Sequence, residues 1–188
     1  MTNNTLLFER NFEEENCKEE LIETLSKIIT TNTVLCCIGS DKLIDDSLGP
    51  FVGSRLKENN IGLPVLGTIE NPCHGKNLTY FHSIIETKYK DKKVLGIDAC
   101  VTTGTQSPSI GTIKVNNKPI YPGRGVGKNL DTIGNYSLRG IISNNQHQLL
   151  FNIPNTRLYF VITFANFIAD AITETYNKII VNQKGRDE

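Results

Sequence analysis

The spacing of apolar positions changes period several times along the chain, and the changes mark out its elements. Over residues 13–29, Leu21, Ile22, Leu25, Ile28 and Ile29 fall at helical spacing behind an acidic first turn, which predicts a one-sided docking helix. Residues 33–38 (TVLCCI) then form a short apolar run that stops at Gly39, the pattern of a strand buried on both faces of a parallel sheet. After the polar loop SDKLIDD the spacing is helical again over 47–58, through Leu48, Phe51, Val52 and Leu56, with Pro50 tolerable because it lies in the first turn. The unit repeats with a strand at 64–69, the loop ENPCHG, a helix at 76–89, and a third strand over 93–97 that ends at Asp98.

Beyond it, 111–115 and 119–121 read as a short β-ribbon around Asn116-Asn117, and 136–143 as another strand or a short helix. A long helix follows over 155–180, with Leu158, Val161, Ile162, Ala165, Ile168, Ala169, Ile172 and Tyr176 on its apolar side. Strands alternating with helices specify α/β architecture with a mostly parallel sheet. The expected organisation is a polar extension and docking helix over 1–32, one α/β domain over 33–182, and a frayed tail over 183–188.

Charge and composition narrow the function classes. With 20 Lys+Arg against 20 Asp+Glu, the chain lacks the basic excess of a nucleic-acid binder or a polybasic membrane binder. Its five Cys are odd in number and without C-x-x-C spacing, which fits a reducing, cytoplasmic setting better than a disulfide frame or zinc knuckle. The first residues contain no apolar stretch of signal-peptide type. The longest apolar region, 158–172, is broken by Thr163, Asn166 and Asp170 and is too short and polar to span a bilayer.

In an open parallel sheet, ligands bind beyond the carboxyl ends of the strands. Three such places carry chemistry: the loop 39–50 with Asp46, the loop 70–74 with Glu70 and His74, and Asp98. Asp46 and Asp98 would converge on one cleft if their strands are neighbours. Facing carboxylates can divide acid and base roles, because proximity or burial raises one pKa while the other group stays ionised. With His74 the same pair could instead hold a divalent metal. A plainer role for Asp45 or Asp46 is to cap the helix that follows. His82 and His147 read as structural or solvated, and Cys73, although beside His74, is a poor candidate for a nucleophile because such partners usually meet through the fold. The segment PGRGVGKN at 122–129 fails the Walker A pattern at Pro122 and at Asn129. It reads better as a substrate-facing loop in which Arg124 and Lys128 meet a carboxylate or carbonyl.

At these residues the chain resembles the YyaC-type sporulation proteins, which are similar to the germination protease of spore-forming bacteria and, more distantly, to the hydrogenase maturation endopeptidases. The resemblance runs through CIGSDKLIDDSLGPFVG (37–53), GTIENPCHGKNL (67–78), GIDAC (96–100), GTIKVNNKPIYPGRGVGKNL (111–130), IGNYSLRGII (133–142) and NTRLYFVITFANFIADAI (155–172). It implies a three-layer α/β/α sandwich of the phosphorylase/hydrolase-like type. It also implies an aspartate-dyad endopeptidase with Asp46 and Asp98 as catalytic residues. Glu70, His74 and Asn77 complete the expected site as supporting groups, and Gly39, Arg124 and Lys128 as substrate-binding groups. No cofactor or metal is expected. The implied substrates are spore-associated proteins such as the small acid-soluble spore proteins, met in the cytoplasm of the sporulating cell or the spore interior. Two alternatives stay open: a non-catalytic scaffold that keeps the peptidase fold, and a metal-dependent maturation peptidase. The hydrogenase enzymes take a nickel-binding His from a later segment, whereas the matching IGNYSLRGII contains none. A homodimer is compatible with the sequence, without a residue-level argument for it.

Overall fold

The apolar run at 33–38 lies deep in the sheet. The computed structural model describes residues 5–102, 107–122, 131–144 and 156–185. Its strands are β1 (Leu6–Asn11), β2 (Thr33–Cys37), β3 (Val65–Leu66), β4 (Lys93–Thr102), β5 (Thr112–Asn116) and β6 (Tyr136–Asn144). Its helices are α1 (Cys17–Ser26), α2 (Leu48–Glu58), α3 (Leu78–Lys88) and α4 (Leu158–Lys184), with one 3-10 turn at Ile44–Asp46. The strands form one sheet in the order β1-β5-β6-β4-β2-β3. The four from β6 to β3 are parallel, while β5 and β1 extend the sheet by antiparallel pairing.

Alternation along β2 divides the core. Leu35 and Cys37 join Leu95, Ile97, Leu138 and the apolar sides of α1, α2 and α4, whereas Val34, Cys36 and Ile38 pack with Val94, Ile120, Ile133 and α3 through Leu78 and Phe81. The result is the three-layer α/β/α sandwich with a mostly parallel sheet. Phe12, in the connection from β1 to α1, packs on Phe164 at 4.9 Å and meets Phe160 and Phe167 edge-on, tying the N-terminal elements to α4. Among the described residues no helix is long and apolar enough to cross a membrane.

The structure corrects four local expectations. Leu6–Asn11 belongs to no mere polar opening but is the edge strand β1; only Phe8 of it is buried, so its sequence lacks an apolar run. β4 continues five residues past Ile97 to Thr102, so Asp98 lies within the strand and does not end it. The expected ribbon does not form: β5 pairs with β1 and β6, and Ile120 bridges Ile133 instead. The strand expected at 64–69 pairs only at Val65–Leu66. For 136–143, left open between strand and helix, the outcome is the strand β6.

Helix α2 lies directly on backbone. A Cβ on Gly49 would fall 2.0 Å from the Ile38 carbonyl oxygen, and one on Gly53 would fall 1.9 Å from that of Gly67. Gly49 and Gly53 are one turn apart on the same face, so the helix is seated against the carboxyl end of β2, where the loop to the site begins. Gly53→Ala is therefore expected to cost about 1–3 kcal/mol through overpacking. A lowered urea midpoint at unchanged m-value would register this; an unchanged midpoint would contradict the close seating.

Candidate active site

The site begins where β2 ends. Gly39 has φ of 140°, a conformation that side-chain-bearing residues avoid, and a Cβ there would lie 2.0 Å from the Asp46 carbonyl oxygen. The Gly39 N–H donates to the Cys73 carbonyl and the Ser40 N–H donates to the Asp46 carbonyl, both at 2.8 Å. Gly39, proposed from sequence to touch substrate, thus spends its N–H on folding the loop back. The return brings Asp46, the last residue of the 3-10 turn, to the sheet's carboxyl edge. Ser47 occupies the N-cap position of α2, so Asp46 is not that helix's cap.

Asp98 comes from the interior strand β4, on the face shared with Val94. Its register partner on β6 is Arg139, whose partner on β5 is Lys114, whose partner on β1 is Glu9. A row of charged residues therefore crosses four strands on one face. Lys114 closes an ion pair with Glu9 at 2.9 Å. Cys100, two residues beyond Asp98, joins the same face, its thiol pushed up by burial and drawn back by Arg139.

Electrostatics separates the two carboxyl groups. Burial raises Asp46 to about 6, against the opposing pull of His74 and the Ser40 N–H. Asp98 is raised further, to about 8, first by burial and then by the Asp46 charge; the Ala99 N–H and Arg139 oppose the shift. Asp98 keeps a partly accessible surface, so a substrate can reach it while its charged form remains poorly solvated. At neutral pH the favoured arrangement is Asp46 ionised and Asp98 protonated, with apparent values that belong to the pair.

The supporting residues fall into two groups. His74 is brought to Asp46, and its Nδ1 accepts the Lys76 N–H at 3.3 Å. Asn77 clamps that loop: its side-chain oxygen accepts the His74 N–H and its amide donates to the Pro72 carbonyl, both at 2.9 Å. Glu70 is exposed in the turn 68–71 and is not among the groups whose charge acts on either aspartate. Arg124, Lys128 and His147 lie outside the described residues. Cys73 is buried beside Cys36, whose thiol it raises by hydrogen bonding, so its sequence position beside His74 makes no nucleophile and base pair. His82 lines a separate cavity of about 500 Å³ with Thr79, Ser83, Glu86, Asp131 and Thr132. Among the described residues no three His, Cys, Asp or Glu side chains gather in a way that would hold a metal ion.

Arg139, Lys114 and Cys100 escape the reading of loops because they stand on strands. The available sign was alternation: in SLRGII the arginine occupies the face opposite Leu138, the face that Asp98 occupies one strand away.

Compared with known proteins, the chain matches the family described as "Protein of unknown function (DUF1256)" over residues 9–171. It is 33% identical over 156 residues to "Uncharacterized protein YyaC" of Bacillus subtilis (strain 168), covering 82% of this chain and 75% of that protein. It is similar in fold to the crystal structure of the NiFe hydrogenase maturation protease HycI from Thermococcus kodakarensis KOD1, with a TM-score of 0.53 and 19% identity, covering 81% of this chain and 98% of that chain.

The raised Asp98 has a thermodynamic consequence. A carboxyl whose folded pKa exceeds its unfolded value contributes stability that is fully present below the unfolded value, 3.8 for Asp98, and lost as pH rises through about 8. Asp98→Asn should therefore melt about 5 °C or more above wild type at alkaline pH, with the gap closing under acid conditions. Calorimetry across that range checks this, and a pH-independent gap would contradict the burial of an ionisable Asp98.

Proposed function

The chain belongs to the DUF1256 family, and from its site we propose that it is an endopeptidase that works with an aspartate dyad, Asp46 and Asp98. One observation carries the proposal: two carboxyl groups meet near the carboxyl edge of the sheet, both raised by burial, to about 6 for Asp46 and about 8 for Asp98, and the Asp46 charge adds to the rise at Asp98. Such a pair supplies a base and an acid at the same pH. The fold shared with a maturation protease is compatible with this chemistry. The motif resemblance to sporulation proteases favours spore-associated proteins as substrates.

In the proposed reaction, ionised Asp46 takes a proton from a water molecule as its oxygen adds to the scissile carbonyl carbon. Protonated Asp98 gives its proton to the departing amide nitrogen, so the C–N bond breaks to a new carboxyl group and a free amine. His74 beside Asp46 favours the ionised base, and Arg139 keeps the Asp98 proton from being held too tightly to donate. Each of these effects follows from the sign of the charge involved.

The test is cleavage of a pooled spore-protein extract by the purified chain, with bound metal assayed on the same sample. Asp46→Asn and Asp98→Asn should each lower cleavage by at least about 10²-fold, the lower end for a general acid or base. Activity should follow a bell, rising through about 6 as Asp46 ionises and falling through about 8 as Asp98 loses its proton. Wild type that is folded yet cuts nothing, or full activity in Asp98→Asn, would overturn the proposal. Stoichiometric metal whose removal abolishes cleavage would transfer the role to a metal centre.

A further inference from the structure

Two buried hydrogen-bond donors on the face of the sheet that carries Asp98 have no acceptor. The Nε of Arg139 and the side-chain nitrogen of Asn116 are both buried and both lack a partner, and Asn116 is only 9% exposed. Buried donors are nearly always satisfied in folded proteins, and leaving one unpaired forfeits its hydration without return. Here the two occur together. β5 and β6 pair antiparallel with Lys114 opposite Arg139 and Asn116 opposite Ser137. Arg139 and Asn116 are thus diagonal neighbours on the face that carries Asp98.

We propose that Arg139 and Asn116 form the acceptor-binding half of the site, a subsite for two main-chain carbonyl groups of an extended peptide. Arg139, register partner of Asp98, receives the scissile carbonyl oxygen, and Asn116 receives the carbonyl two residues away. The spacing is suitable: diagonal positions on an antiparallel pair are about 7–8 Å apart, and carbonyls two residues apart on an extended chain are about 6.5–7 Å apart. The chemistry also selects a carbonyl. Asn116 is a neutral donor matched to a neutral acceptor. Lys114 is held by Glu9, which leaves Arg139 as the cation next to Asp98. A carbonyl oxygen that gains charge only during reaction draws most from a fixed guanidinium. When water adds, the C=O π electrons move onto that oxygen beside Arg139; when the C–N bond breaks they return to C=O, and the nitrogen leaves with the Asp98 proton.

This subsite rests on the dyad reading, so the test follows the two separately. The probe is the tripeptide aldehyde Ac-Ala-Ala-Ala-H, whose hydrate presents a tetrahedral carbon and three amide carbonyls, one of them two residues from that carbon. Saturable NMR shifts at the Arg139 Nε–H and the Asn116 side-chain amide are expected. Asn116→Ala should weaken the probe about 3–10-fold, as loss of one neutral hydrogen bond does. In cleavage, Arg139→Gln should lower kcat by about 10²–10³-fold with KM little changed, Arg139→Lys should recover part of that loss, and Asn116→Ala should act mainly on KM. Arg139→Lys also serves where the neutral variant does not fold. The dyad is followed by carbon NMR of the Asp46 and Asp98 carboxyls. Displaced, coupled midpoints with no probe shift at either donor, up to the probe's solubility, overturn the subsite and leave the dyad standing. Ordinary carboxylate midpoints with shifts at both donors keep the subsite and overturn the dyad. Unchanged kcat in Arg139→Gln overturns the role given to Arg139.

Discussion

Asp98 sits on an interior strand of the sheet, where its carboxylate form loses most of its water. The neighbouring groups act against that loss or add to it. Arg139 and the Ala99 N–H favour the ionised form, while Asp46 disfavours it. A site for general acid chemistry needs this imbalance, since a carboxyl that ionises freely has no proton to give near neutral pH. The cost is tolerable because the surrounding core is extensive: α1, α2 and α4 cover one face of the sheet with a single apolar cluster.

The other carboxyl reaches the site by a different physical route. Asp46 comes from a loop that folds back onto the end of β2, and close backbone contacts at Gly39 and Gly49 set that return. A loop held by main-chain hydrogen bonds to Cys73 and Asp46 itself has little freedom, so the backbone of Asp46 is fixed at the end of β2. Asn77 does the same for His74 on the next loop. Thus both aspartates come from the parallel half of the sheet, and main-chain geometry positions the segments that carry them.

Much of this was legible in the sequence, for reasons that differ by element. β2, α2 and α4 could be read because each buries a continuous run or a full helical stripe, and α3 because Leu78, Phe81 and the partly buried Ile85 share one face. β1 could not, because an edge strand buries little: within LLFERN only Phe8 is buried, while Glu9 and Arg10 are taken up by ion pairs with Lys114, Glu14 and Glu20. The length of β4 was hidden for a related reason, since the strand runs on past its apolar residues into the polar face where Asp98 stands. Asn116-Asn117 has the local composition of a hairpin turn, yet β5 takes partners distant in sequence, and tertiary pairing overrides such a preference. Asp46 and Asp98 were singled out in the sequence because the carboxyl ends of parallel strands are where ligands bind, although Asp98 lies within β4 and not after it. Arg139 was not, because its meaning comes from its register partner.

That register explains why the antiparallel extension matters to the site. Four parallel strands alone would leave β6, and with it Arg139 beside Asp98, at the edge of the sheet. Adding β5 and β1 continues the row through Lys114 to Glu9, so the second cation is neutralised at the far edge and Arg139 remains directed at Asp98. The arrangement grades charge across the sheet, from an acidic loop end through a cation to a neutral pair. A peptide lying along this face would meet acid and base at one end of that gradient and hydrogen-bond donors toward the other. The edge strand β1, by supplying the Glu9 partner of Lys114, thus closes the row of charged residues that begins at Asp98.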